Sequence, residues 1–187
     1  MKVLAVSGSL RPGSHNTSLL RAARDAAPDG VEVELFDPAQ IAELPLYDQD
    51  LEGDAPVSVE RLREAWGEAD AILFATPEYN GSVPGGLKNA IDWASRPKLA
   101  AVLRNKPVAV VGASTGQFGA LWAQQDLKRI LGVAGARVVG TEIPVSRAHE
   151  RFDTEGRLLD GEIFGQLRLH LTTLASEAVA APDRVAA

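Results

Sequence analysis

The sequence contains no cysteine. That excludes disulfides, thiolate metal sites and a thiol nucleophile, and it fits a reducing compartment. Histidine is scarce as well. His15, His149 and His170 are scattered, with no HExxH or similar ligand spacing, so no metal site is expected. Basic charge is outweighed: 19 Lys and Arg stand against 25 Asp and Glu, a net charge of −6 with a pI near 5.1. A nucleic-acid surface would need a basic face. No apolar run approaches the ~20 residues of a membrane span. Met1-Lys2 leads straight into an apolar strand, so no signal peptide is expected. The glycines near the N-terminus are not followed by Gly-Lys-Ser/Thr, and GxGxxG cannot be laid on Gly8 to Gly13. That weakens nucleoside-triphosphate and dinucleotide readings. The expectation is a soluble cytoplasmic protein that binds neither nucleic acid nor membrane.

What is present suffices for one domain with a substantial core: 187 residues, 45% of them hydrophobic. Residues 1–187 read as a single domain, with a tail from about Val179 expected to fray. The chain is organised around Lys2 to Leu20. Val3-Leu4-Ala5-Val6 is a short apolar run of the kind buried in a parallel sheet. Thr17 to Ala23 reads as the first turns of a helix. The loop between them, Ser7 to Asn16, is crowded with hydroxyls and glycines and carries Arg11 and His15. A helix N-terminus offers free N–H groups and the positive end of the helix dipole. Ser9, Ser14, Asn16 and Thr17 can add donors and Arg11 a charge-assisted one. The loop therefore suits a phosphate monoester; the plainer reading is a connection whose Ser and Asn cap the helix.

Further along, Val31 to Phe36 alternates apolar and charged residues, as a half-buried outer strand does. The Pro- and Asp-rich stretch Asp37 to Ala55 is too long for a simple connection and is expected to wall a site or an interface. Val57 to Glu68 reads as a helix with Trp66 in the core. Ala69 to Thr76 reads as a buried strand. Pro77 to Gly86 is a loop, with a helix beginning near Pro84. Val108 to Gly112 is another buried strand, followed by Ala113 to Gly119 and a helix with Leu121, Leu127, Ile130 and Leu131 on one stripe. Arg137 to Thr141 reads as the last strand and Glu162 to Ala178 as the last helix, with Asp160 its N-cap. Alternating strands and helices imply a doubly wound α/β sheet. About five parallel strands point to the flavodoxin-like order 2-1-3-4-5 with helices on both faces, rather than a six-stranded Rossmann sheet. Ligands of such sheets lie beyond the carboxyl ends of the strands.

Three loops fall at that edge: Ser7–Asn16, Pro77–Gly86 and Ser114–Gly119. The first suits a phosphate. The second, with Tyr79, Asn80 and glycines, suits a flat ring with heteroatoms. The third lets backbone approach a ring closely. A phosphate at one end and a planar polar ring at the other describe a mononucleotide, best a flavin. The motifs GSLRPGSHN (8–16), PEYNGSVPGGLKNAIDW (77–93) and STGQFG (114–119) resemble those of the NAD(P)H-dependent FMN reductase family, which includes bacterial quinone, azo-dye and chromate reductases. The resemblance runs from the first strand through Thr141. It implies non-covalent FMN, NADPH or NADH as reductant, a homodimer or homotetramer, and two-step hydride transfer through flavin N5 to quinones, azo compounds, free flavin or metal oxyanions such as chromate. It places Ser9, Arg11, Ser14, Asn16 and Thr17 on the phosphate; His15 is not a residue the family motif demands, and it reads either as a further donor to the phosphate or as a solvent-facing residue at the helix start. It places Pro77, Glu78, Tyr79, Asn80 and Gly81 along the isoalloxazine, and Ser114, Thr115 and Gly116 on its other side.

No side chain is expected to act as a nucleophile or base, because a flavin needs no protein base to accept hydride. Glu78 therefore reads as structural or as a contact through its backbone, and Asp92 as making a hydrogen bond or salt bridge near its helix. Leu44 to Tyr47 and the helix carrying Trp122, Gln124 and Gln125 are candidate interface surfaces. Arg147 to Asp160 offers no assignable chemistry. The main rival is a flavodoxin-type electron carrier that does not itself oxidise NAD(P)H. A phospho-receiver of the same strand order would need an Asp at the end of the third strand, where Thr76-Pro77 stands.

Overall fold

The computed structural model describes residues 1–180. Its centre is a parallel sheet of β1 (Lys2–Ser7), β2 (Glu32–Leu35), β3 (Ala71–Thr76), β4 (Pro107–Ala113) and β5 (Arg137–Val138) in the order β2-β1-β3-β4-β5, with a short β6 (Pro144–Val145) that also pairs with β4. This is the flavodoxin-like order read from the alternation of elements. Residues one apart on a strand face opposite sides. Val3, Ala5, Leu73 and Val111 enter one core, against α1 (His15–Asp25) and α7 (Gly161–Val179). Leu4, Val6, Phe74 and Val110 enter the other, against α3 (Val57–Glu68), α4 (Gly85–Ala94) and α5 (Leu121–Val133). The three central strands are buried on both faces, which is why they read as unbroken apolar runs rather than alternating ones.

Three expectations change in detail. The outer strand is shorter than 31–36, ending where Phe36 turns into the second core. The last strand does not run from Arg137 to Thr141. It stops after Val138, passes through Gly140 at φ 74°, and resumes at Pro144. Side chains hold the intervening backbone where a ladder would have: Lys128 Nζ donates to Gly140 O (2.9 Å) and the Gln124 side-chain carbonyl accepts from Ile143 N (3.0 Å). His170 Nε2 lies 2.7 Å from Thr141 O. Gln124 is thus fully buried and belongs to no interface surface.

The long stretch after β2 is also not a wall of the site. It holds α2 (Pro38–Ala42), capped by Asp37, and then lies along α4. Tyr47 N donates to Asn89 Oδ1 (2.8 Å), and both Asn89 Nδ2 and Trp93 Nε1 donate to Pro45 O (2.9 Å each). Trp66 and Trp93 are core residues, as expected. Asp160 caps α7 through Glu162 N and Ile163 N. Most of the tail expected to fray lies outside the described residues. Among the described residues no helix is long and apolar enough to cross a membrane.

Candidate functional site

β1, β3 and β4 end side by side, and their three loops meet beyond the sheet. The first loop is locked from inside. Ser7 Oγ bonds with both N and O of Ser9 (3.2 Å each) and accepts from Thr17 Oγ1 (3.1 Å). Ser14 is the N-cap of α1, its hydroxyl accepting from Thr17 N (3.3 Å). Asn16 does what no local rule suggests. Its Nδ2 donates to Ala113 O and its Oδ1 accepts from Ala113 N, both at 2.9 Å, so a side-chain amide pairs with a backbone amide 97 residues away. The amide so ties the first loop to the end of β4, while Asn16 still lines the notch.

What remains unspent faces the notch between the loops. Ser9 is only 2% exposed, and its hydroxyl oxygen has no hydrogen-bond partner among the described residues. The N–H groups of His15 and Asn16, the first two of α1, likewise have no acceptor among them, as expected at a helix start. Arg11 is exposed and makes no ion pair with a described residue. His15 is half-buried and stacks on Phe152, ring centroids 5.7 Å apart. Burial, and then the nearby charges of Arg11 and His149, hold its imidazole below the ordinary value, so it is neutral near pH 7.

The second loop is a tight turn. Tyr79 and Ser82 exchange backbone hydrogen bonds (3.0 and 3.2 Å) around Asn80 and Gly81, both at positive φ, the Asn-Gly pair that such turns favour. Glu78 Oε2 accepts from Ala123 N (3.1 Å) in the first turn of α5. That helix has no side-chain cap of its own, and a carboxylate suits the positive end of its dipole. Glu78 thus ties the second loop to α5 while lining the notch, and Asp92 pairs with Lys88 at 2.6 Å. The third loop is braced by a segment for which the sequence suggested no role. Arg147 N donates to Gly116 O and Ala148 N to Ser114 O, both 3.0 Å.

The notch so formed holds about 150 Å³ and is lined by Ser9, Arg11, Ser14, His15, Asn16, Pro77, Glu78, Tyr79, Ser114 and Thr115, with Ala113 as an addition. Thr17, Asn80, Gly81 and Gly116 stand next to it in the same loops without lining it. A cavity that encloses a whole ligand of drug size is several hundred Å³. This one takes one end of a ligand and leaves the rest along an open rim. A larger hollow of about 480 Å³ lies between α4 and α5. Its charges are already matched, Lys88 with Asp92 and Asp126 with Arg129 at 2.6 Å, so its size marks no unmet chemistry.

A doubly wound sheet whose strand ends carry unpaired anion donors beside an open notch has the flavodoxin-like form and suits a mononucleotide. Comparison with known proteins narrows this. The model of the NADPH-dependent FMN reductase family matches residues 1–150. An NAD(P)H-dependent FMN reductase of Pseudomonas aeruginosa is 47% identical over 162 residues, covering 86% of this chain and 85% of that one. A quinone reductase of Escherichia coli is 42% identical over 142 residues, 74% of this chain and 73% of that one. Among solved structures, the flavoenzyme NAD(P)H:(acceptor) oxidoreductase FerB of Paracoccus denitrificans superposes with a TM-score of 0.81 at 35% identity, covering 96% and 97% of the two chains. The chain belongs to the NADPH-dependent FMN reductase family. It is an oxidoreductase with FMN as cofactor and NAD(P)H as reductant.

Proposed function

We propose that this chain transfers a hydride equivalent from NAD(P)H to quinones: NAD(P)H, a proton and a quinone give NAD(P)⁺ and a hydroquinone. The observation that carries the site is the set of unspent donors in the notch. The Ser9 hydroxyl, the Arg11 guanidinium and the N–H groups of His15 and Asn16 hold the FMN phosphate. Ser14 and Thr17 keep that loop in shape, and neutral His15 adds one donor. Pro77, Glu78, Tyr79, Asn80 and Gly81 lie along the isoalloxazine, with Ser114, Thr115 and Gly116 on its other side. FMN, when bound, supplies the hydride relay between reductant and acceptor. The protein positions the rings, keeps one ring face open to both substrates in turn, and supplies no nucleophile or base.

Quinones are the first choice of acceptor because the relative from E. coli is named a quinone reductase. Azo compounds, free flavin and oxyanions such as chromate are further acceptors that an open ring face admits. We read the chain as one FMN-binding domain that works as a homodimer or homotetramer. Its place is the cytoplasm, where NAD(P)H is kept reduced.

The test is a visible spectrum of the purified protein after FMN is added, then anaerobic titration with NADPH. Bound flavin that bleaches with one equivalent of NADPH, and recolours on adding a quinone, is the expected outcome. Bound flavin that NADPH leaves unchanged would make the chain an electron carrier. No bound flavin would overturn the assignment of the notch.

A further inference from the structure

Aromatic side chains are few in this chain, and the exposed ones are not scattered. Among the described residues Tyr79 (51% exposed), Phe118 (51%), Trp122 (48%) and Phe164 (36%) are the exposed aromatics; Tyr79 lines the notch, and Phe118 and Trp122 follow it in the chain, on the third loop and the first turn of α5. Phe118 and Trp122 form a pair, ring centroids 4.7 Å apart and planes tilted by 51°. Both ends of the pair are anchored to the site. Phe118 belongs to the same loop as Thr115, which lines the notch. Trp122 precedes Ala123, whose N–H is held by Glu78, another lining residue. Ser82 Oγ donates to Asp126 Oδ2 (2.5 Å), so the turn carrying Tyr79 is tied to α5 at a second point. The start of α5 is thereby tied to the second loop at two points, and the rings are open to solvent.

Leaving two large rings half in water forgoes the stabilisation that burying them would bring. Aromatic pairs attract flat partners in offset or edge-on contact. From this placement we infer that Phe118 and Trp122 form a platform for the fused-ring part of the acceptor. The platform favours bicyclic quinones over small or non-aromatic acceptors. It rests on the quinone-reductase reading, because it presupposes that the electrons leave from the ring bound next to it. The acceptor gains two electrons and two protons. The electrons and one proton arrive as the hydride of NAD(P)H and the other proton comes from water.

The experiment compares the FMN-loaded protein with Phe118→Ala, Trp122→Ala and the conservative Trp122→Phe. Substrates are 2-methyl-1,4-naphthoquinone, 1,4-benzoquinone and ferricyanide. Each alanine variant should raise KM for the naphthoquinone roughly three- to ten-fold, the size of one aromatic contact. Turnover with ferricyanide, KM for NADPH and FMN affinity should stay as in the parent, and Trp122→Phe should recover most of the naphthoquinone effect. A second readout needs no turnover. Trp66 and Trp93 are fully buried, so the naphthoquinone should saturably quench the emission of Trp122 alone, and Trp122→Phe should abolish that quenching. Equal loss with all three acceptors, a change confined to KM for NADPH, or no change at all overturns the platform. So does a shift in oligomeric state in the alanine variants, which would make the pair a contact with a second copy of this chain. If the parent protein binds no flavin, or NADPH does not bleach it, the functional reading fails first and the platform falls with it; the spectrum separates the two failures.

Discussion

The hollow between α4 and α5 and the notch at the strand ends differ in the opposite sense to their size. The hollow holds about 480 Å³ and the notch about 150 Å³. In the hollow, Lys88 and Arg129 each meet a carboxylate at 2.6 Å. In the notch, a buried hydroxyl, two helix-start N–H groups and an arginine have no acceptor among the described residues. Empty volume at a surface calls for no ligand, whereas several free donors turned to one notch can be satisfied together by one anion. Here the free donors, rather than the volume, point to the notch, although the polar side-chain atoms buried without a partner among the described residues, Arg63 Nη2 and Trp66 Nε1, lie elsewhere, on α3.

The comparison can be broken most forcefully at Asn16. Replacing it with Ala leaves both backbone groups of Ala113 without their partner in a buried place. At roughly 1–3 kcal/mol for each unpaired group, the variant should lose about 2–6 kcal/mol in urea unfolding and bind FMN poorly. A loss under about 1 kcal/mol would mean that water replaces the amide, since an exchange of that kind is nearly neutral.

Arg11→Ala should leave unfolding unchanged, because the side chain is exposed and makes no ion pair with a described residue. It should weaken FMN binding by about 1.5–3 kcal/mol, the worth of a charged hydrogen bond, or roughly ten- to a hundred-fold in Kd. Riboflavin, which lacks the phosphate, should bind both proteins alike; an equal loss for riboflavin would put Arg11 at the ring end instead.

His15 predicts a pH effect of smaller size. Its folded-state pKa is lowered, first by burial and then by Arg11 and His149, so the unfolded chain takes up a proton before the native one does. The apoprotein should lose stability as the pH falls from about 6.5, the unfolded value, through the folded one, and should show no contribution from this group above it. FMN should narrow that window, because its phosphate favours the charged imidazole. Denaturation series between pH 5 and 8 with His15→Gln as control measure this; a profile identical in parent and variant would contradict it. The smallest effect belongs to the hollow. Lys88→Ala removes a surface ion pair at a helix face and should change stability by less than about 1 kcal/mol, with FMN binding untouched. A clear loss of FMN there would collapse the distinction between the two regions.

How much of this was legible beforehand depends on the distance over which each feature is encoded. The buried strands were readable because the period of side chains acts within a few residues. The site loops were readable as loops because they follow apolar runs and precede helices. The break in the last strand was not. It depends on Lys128, Gln124 and His170 reaching the 139–143 backbone from two different helices. Nor was the role of Arg147 to Phe152, which matters only because it lies against the first and third loops.

By itself the sequence determined the alternation of strands and helices, the strand order that follows from it, and the three loops at one edge of the sheet. Periodicity, capping and turn chemistry are local, so they can be read along the chain. Only the tertiary structure decided which polar groups in those loops are spent on the protein and which are left for a ligand. The side-chain amide of Asn16 looks like a ligand contact in one dimension. In three it is consumed by Ala113, 97 residues away. A hydrogen-bonding group is available only if nothing else has claimed it, and the claimants come from anywhere in the fold.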